Sequence, residues 1–218
     1  MEKTFLITGT PTKLTADMAH ECLAKHQNVL LTVEPGSETP PVPAGLGESL
    51  QYIEWNRRSP ISARFVLLQA LNRQIEIDHA IIVYHPRDER TVFHEANAAF
   101  FEERIDYDLK GFLFMVKELV AYFMRQKRGS LTFVIQNTGP EVPSPFDALG
   151  MESLHGLVTS LFSWYEREPI TIRGVMTKSP QNRQIAEYVL EMLSEDSPRT
   201  RGKMHKYTGK LSLFNFGK

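Results

Sequence analysis

The feature that most constrains this chain lies in its first 33 residues. A short apolar run, Phe5-Leu6-Ile7, stops at Thr8-Gly9. A helical pattern follows, with Met18, Ala19, Cys22 and Leu23 recurring at three- and four-residue spacing. A β-branched run over 29–33 then ends at Glu34-Pro35-Gly36. Strand, helix, strand in that order needs a crossover connection. A crossover puts the two strands side by side and parallel, with a right-handed turn between them. Thr15 is the expected N-cap of the intervening helix.

The alternation continues to the end of the chain. Strands are expected at 50–55, 80–84, 131–135 and 170–175. Between them, 62–74 reads as a helix with Phe65, Leu68 and Leu71 on its inner side. Residues 104–128 read as a long helix striped by Leu109, Leu113, Val116, Val120 and Phe123, with Arg125, Lys127 and Arg128 in its last turn. Met151, Leu154, Val158, Leu161 and Tyr165 stripe the next helix, and 185–193 the last, with Ala186, Val189, Leu190 and Leu193 inward. Residues 211–216 alternate like a closing strand, and the Pro- and Gly-rich stretch 35–48 reads as a surface loop. The expected architecture is α/β: a doubly wound parallel sheet of about seven strands in three α/β/α layers, one Rossmann-like domain over 1–218.

Bulk properties exclude several classes. Twenty-five Lys and Arg balance 26 Asp and Glu, so nucleic acid is not expected as a partner. The single cysteine, Cys22, cannot form an internal disulfide, and no cysteine cluster exists for zinc. With no signal-like start and no apolar run long enough for a membrane, the expected location is the cytoplasm.

The seven histidines show no paired metal-ligand spacing, so no metal is expected. Asp147, Ser153 and His155 do not form a triad by spacing, because residues two apart on a helix face different ways. Glu102, Glu103, Asp106 and Asp108 cluster at the start of the long helix, where the dipole explains acids. Arg199, Arg201, Lys203, His205, Lys206 and Lys210 form a basic stretch, read as a solvated loop or, with Arg57, Arg58 and Arg87, as a contact for a phosphate or an acidic partner.

Several segments taken in order resemble the short-chain dehydrogenase/reductase family. Leu6-Ile7-Thr8-Gly9 resembles its first strand and the start of its TGxxxGxG turn. Tyr107-Asp108-Leu109-Lys110-Gly111 resembles its N-L-x-G segment, and Gly129-Ser130-Leu131-Thr132-Phe133-Val134 its following strand. The run from Leu154 to Leu161 resembles the helix after its Tyr-x-x-x-Lys motif, and that from Glu187 to Gly202 its late helix and loop.

That resemblance implies a set of residues, and the chain departs from it. The family's hydride transfer uses a Tyr acid/base, a Lys that lowers its pKa, a Ser and an Asn. The Asn position is Asp108, the Ser position falls near Gln136, the Tyr position is Asp147 and the Lys position is Met151. A carboxylate with an ordinary pKa near ~3.9 is a poor proton donor at neutral pH, and a thioether carries no charge. Of the three glycines that let backbone approach phosphates, only Gly9 remains; Lys13 and Thr15 hold the other positions. Tyr84-His85-Pro86-Arg87 stands at the adenosine-side turn. Glu34 matches an acid that would hold ribose hydroxyls, so Thr8, Gly9, Lys13 and Glu34 are the candidate cofactor contacts. The strand ending near Val175 runs almost directly into the next helix, leaving no substrate lid.

The expectation is a member of this fold without dehydrogenase activity, binding no cofactor and serving as an oligomeric scaffold or regulatory subunit. The family's dimer helices correspond to 104–128 and 149–165. Phe114, Met115, Tyr122, Phe162 and Trp164 are expected to face outward there, with Phe214 and Phe216 at a second interface. A homodimer, a homotetramer or a pairing with an active relative follows. The alternatives are an NAD(P)-dependent or otherwise altered enzyme using Asp108, Asp147, His155 and Lys13, and a nucleotide or metabolite sensor using Gly9 and Glu34.

Overall fold

The computed structural model describes residues 2–39, 49–88, 90–195 and 198–209. Seven parallel strands form one sheet in the order β3-β2-β1-β4-β5-β6-β7. They are β1 (Thr4–Gly9), β2 (Asn28–Val33), β3 (Leu50–Glu54), β4 (His79–Tyr84), β5 (Ser130–Gln136), β6 (Thr171–Thr177) and β7 (Met204–Tyr207). The central strands are buried on both faces, which is why they read as continuous apolar runs. The sheet runs outward in both directions from β1 and β4, so its crevice opens above their C-terminal ends.

Helices cover both faces. α1 (Lys13–Ala24) and α6 (Asn182–Glu195) pack on one, in a core with Phe5, Ile7, Val83 and Val134. α2 (Pro60–Asn72), α4 (Gly111–Gln126) and α5 (Pro145–Trp164) pack on the other, around Phe112, Phe123 and Phe133. The starts are written locally. Ser59 and Ser144 each cap a helix whose first residue is proline, placing a side-chain acceptor and a preset φ together. The cap of α1 is Thr12, not Thr15. Thr12 accepts from the Thr15 amide, and Thr15 is buried with its hydroxyl on the Thr10 carbonyl at 2.6 Å.

The long helix differs most from its sequence reading. It begins at α3 (Ala98–Arg104), runs through a π turn over Ile105–Lys110, and continues as α4. The acids at 102–108 therefore lie inside the helical run, not at its start, and ion pairs hold Glu103, Asp106 and Asp108 there. Val116, Val120 and Phe123 of the stripe face the core as read, and the buried face is wider than the stripe. Met115, Leu119 and Tyr122 are inner residues too, while Leu113 is 49% exposed. Met115 and Tyr122, expected outside, are in the core, and Phe162 joins them at 9% exposure. α2 is turned likewise: Ala63, Val66, Leu67 and Ala70 face the sheet, while Phe65, Leu68 and Leu71 face solvent. Small residues allow close helix–sheet approach, and apolar periodicity alone cannot choose between two apolar faces.

The seventh strand is Met204–Tyr207, so His205 and Lys206 lie in the sheet and not in a loop. The alternating stretch 211–216, with Phe214 and Phe216, lies outside the described residues. The connection from β6 to α6 spans only 178–181, which leaves no room for a lid. Among the described residues, no helix is long and apolar enough to cross a membrane.

Candidate functional site

The π turn aims Asp108 inward, and Asp147 arrives from the first turn of α5. Both carboxylates meet Arg104. Its Nη2 lies 3.0 Å from Asp108 Oδ2 and 3.0 Å from Asp147 Oδ1. All three are buried, at 5%, 7% and 3% exposure. The other oxygen of Asp147 accepts from the Ser144 hydroxyl at 2.9 Å, and Ser144 in turn caps the Asp147 amide. Asp147 is thus committed on both oxygens. Arg87 Nε stands 3.8 Å from Asp108 Oδ1. Burial raises the Asp108 pKa, and Arg104, Arg87 and Arg57 oppose the rise. Tyr84 ends β4 beside this group, and burial pushes its phenol well above its ordinary value.

A second group sits over the ends of β2 and β3. The Arg57 guanidinium is flanked by three rings, at 5.0 Å from Trp55, 4.4 Å from Tyr107 and 5.1 Å from Phe112. Gly111 opens α4 against it; a Cβ there would lie 2.9 Å from the Arg57 Cβ. Arg87 stacks on Tyr107 at 3.8 Å, and the Tyr107 hydroxyl donates to Glu34. Glu103 ties the rim, 3.4 Å from Arg58 and 3.6 Å from Arg87.

The turn after β1 is closed in the same way. Gly9, at φ +124°, pairs with Val83, and a Cβ on it would come within 1.9 Å of the Val83 carbonyl oxygen. The glycine is therefore required by the sheet itself. The Thr10 hydroxyl accepts from the His85 amide, and the His85 ring bonds the Thr138 hydroxyl at 3.0 Å. This links the turns after β1, β4 and β5.

Beyond them lies a cleft of about 940 Å³ over the ends of β5, β6 and β7. Ile135, Met151, Met176 and Met204 line it, with Lys178 and Lys206 among its polar residues. Gln136 does not offer a hydroxyl-like group to it. Its amide donates to the Ser179 carbonyl and to Asn182 Oδ1, tying β5 to the start of α6. Tyr207 also lines the cleft, but its hydroxyl goes to Gln184 and burial raises its pKa. A tyrosine acid/base needs the opposite shift.

The structure thus brings Asp108 and Asp147 together through Arg104, and puts Met151 in the cleft wall. Glu34 meets Tyr107, and Lys13 is exposed on α1. His155 pairs with Glu152 at 3.9 Å, and no contact joins it to Asp147 or Ser153. Among the described residues, no group of three or more His, Cys, Asp or Glu side chains could hold a metal ion. Sequence reasoning missed Arg104 as a member of the site, and named Tyr107 and Tyr84 only within longer segments, without a role. The Arg104–Asp108 spacing of four was legible as an ion pair; Tyr107 and Tyr84 carried no such signal.

No protein-family model matches the chain, and no curated protein matches its sequence. Solved structures do. An NADH-dependent reductase, A1-R', responsible for alginate metabolism is 16% identical, with a TM-score of 0.78 over 95% of this chain and 96% of that one. ElxO with NADP bound is 14% identical, with a TM-score of 0.78 over 96% and 98%. A short-chain dehydrogenase from Streptomyces avermitilis is 13% identical, with a TM-score of 0.77 over 95% and 89%. The chain has the fold of the short-chain dehydrogenases/reductases.

Proposed function

We propose that this protein uses the short-chain dehydrogenase/reductase fold for binding and assembly and does not transfer hydride. One observation carries the reading. The two side chains at the positions of the family's Asn and Tyr are carboxylates locked on one buried arginine. Neither position carries a phenol or an amide, and the neighbouring helper position is the thioether of Met151.

The residues present fit a dinucleotide poorly. The Glu34 carboxylate, which would take ribose hydroxyls, is taken by Tyr107. Thr15 fills the third glycine position, and the His85–Thr138 bond crosses the edge of the sheet along which a dinucleotide would lie. The relatives' bound NAD and NADP keep an oxidoreductase as the alternative. Mixing the protein with NADH and with NADPH and following nucleotide fluorescence separates the two. No saturable change at tens of micromolar nucleotide is expected, and no ketone-dependent oxidation. Tight binding with turnover would overturn the proposal.

Assembly is supported by apolar surface on the layer of α2, α4 and α5. Ile61 is 77% exposed, Phe65 50%, Leu149 50% and Trp164 80%. Large apolar side chains left exposed on one layer suit burial against a partner surface. We expect a homodimer or homotetramer in the cytoplasm, where the lone buried Cys22 stays reduced. Sedimentation at micromolar concentration checks it; a single monomeric species would remove the assembly half of the reading.

A further inference from the structure

Three arginines enter the site, and two are paired. Arg104 holds Asp108 and Asp147, and Arg87 reaches Asp108 and Glu103. Arg57 is left over. It is 3% exposed, and neither of its terminal nitrogens has a hydrogen-bond partner. The acids within its electrostatic reach are engaged elsewhere, Glu34 by the Tyr107 hydroxyl and Asp108 by Arg104. Burial lowers its pKa only to about 10, so it remains a cation at neutral pH. Aromatic faces soften the cost of burying it but supply no acceptors for its fork of N–H donors. A buried charged donor without acceptors is costly, and donors so placed are normally satisfied by something.

The cover over Arg57 is the ring of Tyr107, which lies between two guanidiniums, 4.4 Å from that of Arg57 and 3.8 Å from that of Arg87. Tyr107 is only half-buried, and it sits in the π turn over Ile105–Lys110. A π turn carries one residue more than an α turn. Reverting it re-aims the side chain by roughly one α-helical step, about 100°. Such a move frees Glu34 and exposes both guanidiniums to one space.

We infer that Arg57 and Arg87 form a binding site for a phosphate-type dianion, either free phosphate or the phosphate group of a small metabolite, gated by Tyr107. The Arg57 fork takes two oxygens side by side, and Arg87 takes a third from the other side of the vacated ring position. The Tyr107–Glu34 bond holds the gate shut in the absence of ligand. The site does not depend on the proposed loss of hydride chemistry, which the ketone-dependent oxidation of NADH and NADPH tests separately.

The test uses Trp55, whose ring touches Arg57. The chain has two tryptophans, and Trp164 is exposed, so Trp164→Phe leaves Trp55 as the only indole. Titrating this protein with inorganic phosphate, and in a parallel arm with ribose 5-phosphate, at constant ionic strength should change its emission saturably. Tyr107→Ala should tighten the apparent affinity at least ~10-fold by removing the gate. Arg57→Lys, which keeps a basic side chain of similar length, should weaken it ~10-fold or more by losing the fork. A response to phosphate alone assigns free phosphate; a response mainly to ribose 5-phosphate assigns a phosphorylated metabolite. The inference fails if neither the parent nor Tyr107→Ala responds to either probe beyond a matched sodium chloride control. It also fails if Arg57→Lys binds as the parent does.

Discussion

Replacing Arg104 with methionine is expected to destabilise the protein by about 3–5 kcal/mol at neutral pH, the usual penalty for stranding buried charge by removing one partner. Arg104 Nη2 lies 3.0 Å from each carboxylate, and methionine keeps most of the arginine's volume. The loss therefore reports charge, not a cavity. Its pH dependence has a definite sign. The native pKa of Asp108 is raised by burial, with Arg104 the strongest opposing influence. A raised native pKa favours the folded state in acid, below the ordinary carboxylate value. That contribution disappears as pH climbs through the native value. Without Arg104 the native value climbs further, so the penalty should shrink on acidification. Urea midpoints for parent and variant at pH 7.5 and pH 5 measure both effects. Equal penalties at the two pH values would mean that the triad is not what holds this corner together.

Gly9→Ala is expected to cost at least ~4 kcal/mol or to prevent folding altogether. The new Cβ would lie 1.9 Å from the Val83 carbonyl oxygen and 2.7 Å from its nitrogen, at a φ that L residues rarely adopt. Backbone of a central strand cannot give way as a flexible side chain can. The result decides what the glycine is for. Kept only for close approach to a phosphate, Gly9 could become alanine at wild-type stability. Demanded by β1–β4 pairing, it cannot. Thermal unfolding followed by circular dichroism gives the answer, and an unchanged midpoint would refute the sheet-pairing account.

Which features could be read from the sequence follows from how local their causes are. The β1–α1–β2 opening was legible because a buried parallel strand needs a continuous apolar run and a crossover helix needs its own period. That Asp108, Asp147 and Met151 offer neither a phenol nor an amine was legible because it is a property of single residues. The orientation of α2 was not. Phe65, Leu68 and Leu71 make as good an apolar stripe as Ala63, Val66, Leu67 and Ala70, and only the distance to the sheet selects the smaller set. The π turn was hidden too, because one residue added to a helical turn leaves every residue's character unchanged.

Residue types and near-neighbour spacing were enough to fix the parallel α/β alternation, six of its seven strands and the lack of a Tyr-x-x-x-Lys run between 140 and 165. How the buried charges are partnered came from the folded chain alone. Arg104 holds two acids that lie 39 residues apart in the chain, Tyr107 reaches Glu34 across the sheet edge, and Arg57 is buried without an acceptor. Ion pairs and orphaned donors arise from distances through space, and a linear pattern carries those only after the strands have been laid side by side.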